Sequence, residues 1–165
     1  SVQLDIHCLP SHIAGMEEQF VVGQTINLYG LLTDDDDFFS TICAADVLLI
    51  PVNFDQKSID FIRYSMPTRV PAYMASGTPI LVYGPSNVAQ VQYAEKLSWG
   101  LVLINRDIKL LKEAIICLIE NSKFRVKLSA CACATARVSH DMQLVQENFR
   151  TSLVTLHANE RDRLH

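Results

Sequence analysis

Two hydroxyls and a fixed cation stand close together in the stretch Ser65-Met66-Pro67-Thr68-Arg69. A proline suits the first position of a helix, where its missing N–H costs nothing. A helix opening at Pro67 would present unpaired backbone N–H groups and the positive end of its dipole. Ser65, Thr68 and Arg69 would add hydroxyls and a guanidinium, a combination suited to a diphosphate. The same residues also make an ordinary helix start with no ligand, since Ser and Thr are common there. The acidic run Asp34–Asp37 has two readings as well. Carboxylates are hard ligands for a divalent cation, but acidic residues ahead of a helix also cap it and complement its dipole, and this is the simpler reading. His7, His12, His140, His157 and His165 share no metal-binding spacing. No metal site is expected.

The elements that would position these groups follow from the apolar pattern. Val2, Leu4 and Ile6 alternate with polar residues, as do Ile26, Leu28 and Gly30, which predicts two strands with a helix over His12–Val22 between them. Phe38–Ala45 reads as a short helix. Val47-Leu48-Leu49-Ile50, closed by Pro51, is a continuous apolar run of the kind that forms a strand buried on both faces. A polar loop over 53–65 follows, then a helix over Pro67–Ser76 stopped by Gly77 and Pro79, then the buried strand Ile80–Tyr83. Asn87 is placed to cap a helix reaching Leu97, Trp99 to pack at the entry of a strand over Leu101–Ile104, and Asp107 to cap a helix with Ile108, Leu111, Ile115 and Leu118 on one face. Met142, Val145, Phe149, Leu153 and Leu156 continue the helical spacing into the C-terminal part. Strands alternating with helices predict an α/β fold: a Rossmann-like, doubly wound parallel sheet of about five strands, helices on both faces and a helical C-terminus. In such a sheet ligands bind outside the carboxyl ends of the strands, where the chain after Ile50 would lie.

Composition narrows the function classes. At 165 residues the chain is about one domain long. A domain over 1–158 and a charged tail over 159–165 are expected. Lys+Arg 14 against Asp+Glu 18, with the basic residues scattered, leaves no footprint for nucleic acid. The apolar runs are far shorter than the roughly 20 residues that span a bilayer, so no transmembrane segment is expected, and no leader pattern stands before Ser1. Cys8, Cys43, Cys117, Cys131 and Cys133 form no C-x-x-C pair. An odd count without zinc-like spacing fits free thiols in a reducing cytoplasm.

Residues 46–82 also carry a family resemblance. Ala45-Asp46-Val47-Leu48-Leu49-Ile50-Pro51, followed by Ser65-Met66-Pro67-Thr68-Arg69-Val70-Pro71-Ala72-Tyr73-Met74-Ala75-Ser76-Gly77-Thr78-Pro79-Ile80, resembles the C-terminal, nucleotide-sugar-binding domain of group 1 glycosyltransferases of the GT-B type. That family shows an A-D-V strand ending in Pro, then S-x-P-[ST]-K-x-x-E-Y-x-A-x-G-x-P-[IV]. The resemblance runs from about Val2 to Phe149. It implies that Ser65, Thr68 and Arg69 contact the pyrophosphate of a nucleotide-sugar donor, with Arg69 in the place of the usual lysine. It also implies that Gly30, in Asn27-Leu28-Tyr29-Gly30, lies where a nucleobase approaches. The donor would be a substrate and no cofactor is implied; no catalytic residue is assigned.

The chain departs from the family in three ways. Ala72 stands where a glutamate takes the ribose hydroxyls, and a methyl group accepts no hydrogen bond. Tyr64 stands where the more acidic form of the family has a second glutamate, eight residues earlier. The sequence also begins at what would be the family's second strand, without the first strand unit or the N-terminal acceptor domain. The expectation is therefore a donor-binding half, inactive in transfer by itself, with an open strand edge that favours a homo-oligomer. Two other classes remain open: a non-catalytic nucleotide-binding or interaction module, which Ala72 favours, and a receiver-like signalling domain. Against the latter, Asp46 stands at the start of its strand, whereas a phosphoacceptor belongs at the carboxyl end.

Overall fold

The structure, a computed structural model, describes residues 2–14 and 25–162. The chain divides into two compact units, Ser1–Thr41 and Ile42–His165. In the first, β1 (Leu4–His7) and β2 (Ile26–Tyr29) pair in parallel, Leu4 opposite Ile26 and His7 opposite Tyr29. The His7 and Tyr29 rings stack at 4.9 Å. After β1, helix α1 covers Pro10–Ile13; the remainder of the helix expected to Val22 lies largely outside the described residues. Helix α2 runs from Asp35 to Ala44. The Asp34 carboxylate accepts from the N–H groups of Asp36 and Asp37 at 2.9 and 3.0 Å. The acidic run thus acts as a helix cap.

The second unit holds β3 (Leu48–Pro51), β4 (Ile80–Tyr83) and β5 (Leu101–Leu103) in one parallel sheet of that order. Among the described residues the strands form a two-stranded and a three-stranded sheet, each with parallel pairing within itself. Among the described residues β1 pairs only with β2, and β3 only with β4, where a single sheet of about five strands was expected. The apolar runs behave as buried parallel strands: Ile50, Ile80 and Val82 are fully buried on one side. On the other, Leu81 packs with Leu49 against Ala114, Leu118 and Leu128. The last three belong to α6 (Ile108–Glu120) and α7 (Ser122–Ser139). Asp107 caps α6 as expected, accepting from the N–H of Lys109 at 2.7 Å. Helix α5 (Ala89–Leu97) packs on β4 and β5, and α8 (Met142–Asp162) completes the helical C-terminus. Val88, not Asn87, is the N-cap residue of α5.

The connection from β3 to β4 carries two helices where the sequence predicts a loop and one helix. Asp55 caps α3 (Gln56–Ile62), accepting from the N–H of Ser58 at 2.9 Å. Hydrogen bonds from Ser58 hold the Asp55 carboxyl below its ordinary 3.8. Helix α4 covers Arg69–Ser76, two residues later than Pro67 suggests. Its buried face is Val70 and Met74, and Gly77 ends it at φ 78°, a left-handed conformation that glycine adopts without strain. The Thr78 hydroxyl then donates to the Ile42 carbonyl at 2.7 Å in a buried setting.

Two stability predictions follow from this packing. A Cβ on Gly84, just past β4, would stand 2.5 Å from the Val52 Cβ, whereas one on Gly30 would meet nothing within 4 Å. Gly84→Ala should cost about 1–3 kcal/mol in urea unfolding, as overpacking does, while Gly30→Ala should stay within about 0.5 kcal/mol. The second concerns His140, the C-cap of α7, whose Nε2 lies 3.0 Å from the Tyr93 hydroxyl, with Tyr93 in turn against the fully buried Trp99. Burial lowers the His140 pKa from its ordinary 6.5. The folded state prefers the neutral ring, so its contribution is complete above that value and is lost as pH falls through the depressed one. Chemical unfolding across this range should show that loss, and His140→Gln should flatten it.

Candidate functional site

The parallel register of β3 and β4 decides where their connection can present side chains. Val52 N–H donates to the Tyr83 carbonyl at 2.8 Å at the carboxyl end of the pair, and Leu48 N–H to the Pro79 carbonyl at 2.9 Å at the amino end. Helix α4 therefore runs back from the carboxyl end to the amino end, and its N-terminus opens outside the carboxyl ends of the strands, where an open α/β sheet binds ligands.

At that opening Val70 N–H donates to the Pro67 carbonyl at 3.0 Å, and Thr68 is the N-cap residue with no side-chain cap bond. The N–H groups ahead of the first intrahelical bond have no partner within the helix. Ser65, Thr68 and Arg69 are all exposed, so two hydroxyls and a guanidinium stand free at the positive end of an eight-residue helix. Ala72 follows one turn beyond Thr68 and is half-buried. The structure thus brings Ser65, Thr68, Arg69 and Ala72 together on one connection. Gly30, immediately after β2, belongs to the other compact unit; it is exposed, with open space around its Cα.

The segment leading into α4 is held at both ends. Ser65 N–H donates to the Ile62 carbonyl at 2.9 Å, and the Arg63 carbonyl accepts from Ala89 N–H at 2.7 Å, which ties the segment to the start of α5. Arg63 pairs with Asp60 at 2.8 Å, and Gln56 donates to the same carboxylate at 2.8 Å. Sequence reasoning passed over Arg63 as part of a loop. With Lys57 and Arg69 it is one of three cations on this connection, and its three-residue spacing from Asp60 is the helical signal that could have marked it. Among the described residues, no cluster of His, Cys, Asp or Glu could hold a metal ion. No helix among them is long and apolar enough to cross a membrane.

Comparison with known proteins places this arrangement. No protein-family model and no curated protein matches the sequence. Among solved structures, the chain is similar to WaaG, a glycosyltransferase involved in lipopolysaccharide biosynthesis, at 17% identity and a TM-score of 0.58 over 82% of this chain and 34% of that one. It is also similar to α,α-trehalose 6-phosphate synthase from Burkholderia multivorans, at 13% identity and a TM-score of 0.67 over 94% of this chain and 31% of that one. The chain has a glycosyltransferase-like fold. It is the fold that the GT-B resemblance of residues 46–82 implied. The glycosyltransferase-like chain spans about a third of the length of these neighbours.

Arg69 carries the formal charge at the α4 opening, so a phosphate bound there would depend most on it. Arg69→Ala should weaken binding of inorganic pyrophosphate, measured by calorimetry, by about ten- to a hundredfold, the scale of a hydrogen bond to a charged group. An unchanged affinity would remove Arg69 from the site.

Proposed function

We propose that this chain is the donor-binding half of a glycosyltransferase, holding the diphosphate of a nucleotide-sugar at the opening of α4. One observation carries the proposal: Ser65, Thr68 and Arg69 are exposed together at a helix N-terminus outside the carboxyl ends of a parallel sheet, in a fold shared with glycosyltransferases. Thr68 and Ser65 donate hydroxyl hydrogen bonds to phosphate oxygens, and Arg69 supplies two parallel N–H donors. As the bond from the sugar to the terminal phosphate oxygen breaks, that oxygen keeps the electron pair and the nucleoside diphosphate gains negative charge, which a dipole and a fixed cation stabilise beyond the charges of the intact donor, so the same groups assist its departure. Transfer itself needs an acceptor, and the acceptor-binding part is proposed to reside in a further domain, as the neighbours' greater length suggests. The five free cysteines suit a reducing compartment such as the cytoplasm.

A second reading draws on Ala72. Without a carboxylate one turn into α4, the ribose loses its acceptor, and a module that binds a nucleotide without transferring sugar fits that loss. Titration with UDP, GDP and their sugars tests the donor reading, because binding of none of them would sink it. Ala72→Glu extends the test. In the donor pose the new carboxylate, one turn beyond Thr68, accepts both ribose hydroxyls. Affinity for the ribonucleotide should rise by no more than a few kcal/mol, with no gain for the 2′-deoxy analogue. Equal gains for both, or none, would place the ribose elsewhere.

A further inference from the structure

We propose that α8 is a docking surface for a second copy of this chain, two α8 helices pairing antiparallel about a twofold axis at Phe149. The inference is independent of the donor reading above. From Met142 to Val154 every residue of α8 is exposed, and the neighbour it touches most is α7. Phe149 is 66% exposed, Val145 49% and Leu153 52%. With Met142 they follow helical spacing, and at 3.6 residues per turn all lie within about 40° of Phe149 around the helix. A 21-residue helix with no packed face is marginal in water, because most helical stability in proteins comes from burying such a stripe. Asp141 caps the helix, its carboxylate accepting from Leu144 N–H at 3.0 Å, but a cap secures one end only. The stripe needs an apolar cover.

The order of residues says what that cover is. Counted outward from Phe149, the apolar residues of α8 between positions 142 and 156 form a palindrome. Val145 and Leu153 stand four positions away on either side, and Met142 and Leu156 seven; Leu144 and Val154, off the stripe, stand five away. A twofold axis through Phe149 makes an antiparallel partner present the same series, so Phe149 meets Phe149, Val145 meets Leu153 and Met142 meets Leu156. An isologous interface requires this arrangement, since each residue must suit its counterpart on an identical surface.

Charge fixes the direction. In the antiparallel register Glu147 comes opposite Thr151, one residue from the partner's Arg150, and Arg150 comes opposite Asn148, so no like charges face each other. A parallel pair in register would set Glu147 against Glu147 and Arg150 against Arg150, which repel. The seam is a single helix pair about 31 Å long at 1.5 Å per residue, at the small end of specific interfaces. The dimer is therefore weak, with a dissociation constant on the order of 10–100 μM.

The test is sedimentation equilibrium of the 165-residue chain from about 1 to about 300 μM, a range that spans this constant, on wild type, Phe149→Glu, Phe149→Leu and Val126→Glu, each checked for folding by circular dichroism. Val126, 69% exposed on α7, controls for a carboxylate added to an exposed apolar position elsewhere. Wild type should pass from monomer to dimer across the range. Phe149→Glu sets two carboxylates against each other on the axis and should weaken the dimer about thirtyfold or more, the scale of losing a central aromatic anchor. Phe149→Leu and Val126→Glu should stay within about fivefold of wild type. Orientation is read with oxidised glutathione: Phe149→Cys should cross-link to its own copy faster than the five native thiols do in wild type, and Val145→Cys should not, because only the axis position meets itself. A chain that stays monomeric throughout, or a dimer that Phe149→Glu leaves intact or Val126→Glu weakens equally, overturns the proposal. Equal cross-linking at positions 145 and 149 overturns the antiparallel register.

Discussion

Burial of two neighbouring parallel strands on both faces is the constraint on which the second unit depends. Ile50, Ile80 and Val82 are fully buried on one side, and Leu49 and Leu81 pack with α6 and α7 on the other. Parallel pairing denies the chain a hairpin, so it must leave the carboxyl end of β3 and return to the amino end of β4 before pairing again. Helix α4 is that return path. Its direction, and hence the outward aim of its positive end, is a by-product of strand pairing. Val70 and Met74 hold it in place by burial, leaving the Thr68 hydroxyl without a cap bond and Arg69 exposed at the open end.

The strands and several helices were legible because their signals are local. Continuous apolar runs marked β3 and β4, the periodic face after Asp107 marked α6, and Gly77 marked the end of α4 to the residue. Helix α3 was not legible: Gln56–Ile62 buries only Ile59, and its stability comes from the Asp55 cap and from Asp60 with Gln56 and Arg63. Such polar support leaves no apolar period to read. The start of α4 was misplaced for a related reason. Pro67 is compatible with a first helical position, but it serves as the carbonyl acceptor for Val70, and regular helix begins after Thr68. At the start of α5, Asn87 is the better capping type by composition, yet Val88 holds the N-cap position, without a side-chain cap bond. There the close approach of Gly84 to Val52 and the bond from Ala89 to Arg63 fix the chain instead.

The candidate site was legible in its charges and not in its frame. Ser65, Thr68, Arg69 and Ala72 could be named from types and spacing, because a helix start announces itself. Arg63 and the clamped backbone around Tyr64 depend on contacts to Ala89 and Ile62, and no spacing encodes the first of these. The division of the strands between two sheets was likewise beyond the pattern, since alternating strands and helices specify parallel pairing without specifying which neighbours meet.

Helix α4 packs chiefly against α7, and Leu128 of α7 joins the cluster under Leu81. The chain therefore makes the opening of α4 long before it makes the helix that seals its flank. On a ribosome, the β3–α4–β4 segment emerges with Val70 and Met74 only partly covered and must wait for residues far downstream. Non-local closure of this kind slows folding, because the loop entropy is lost before the contact is gained. Nascent chains halted ahead of α7 would carry every residue of the α4 opening and still lack the packing that fixes its direction.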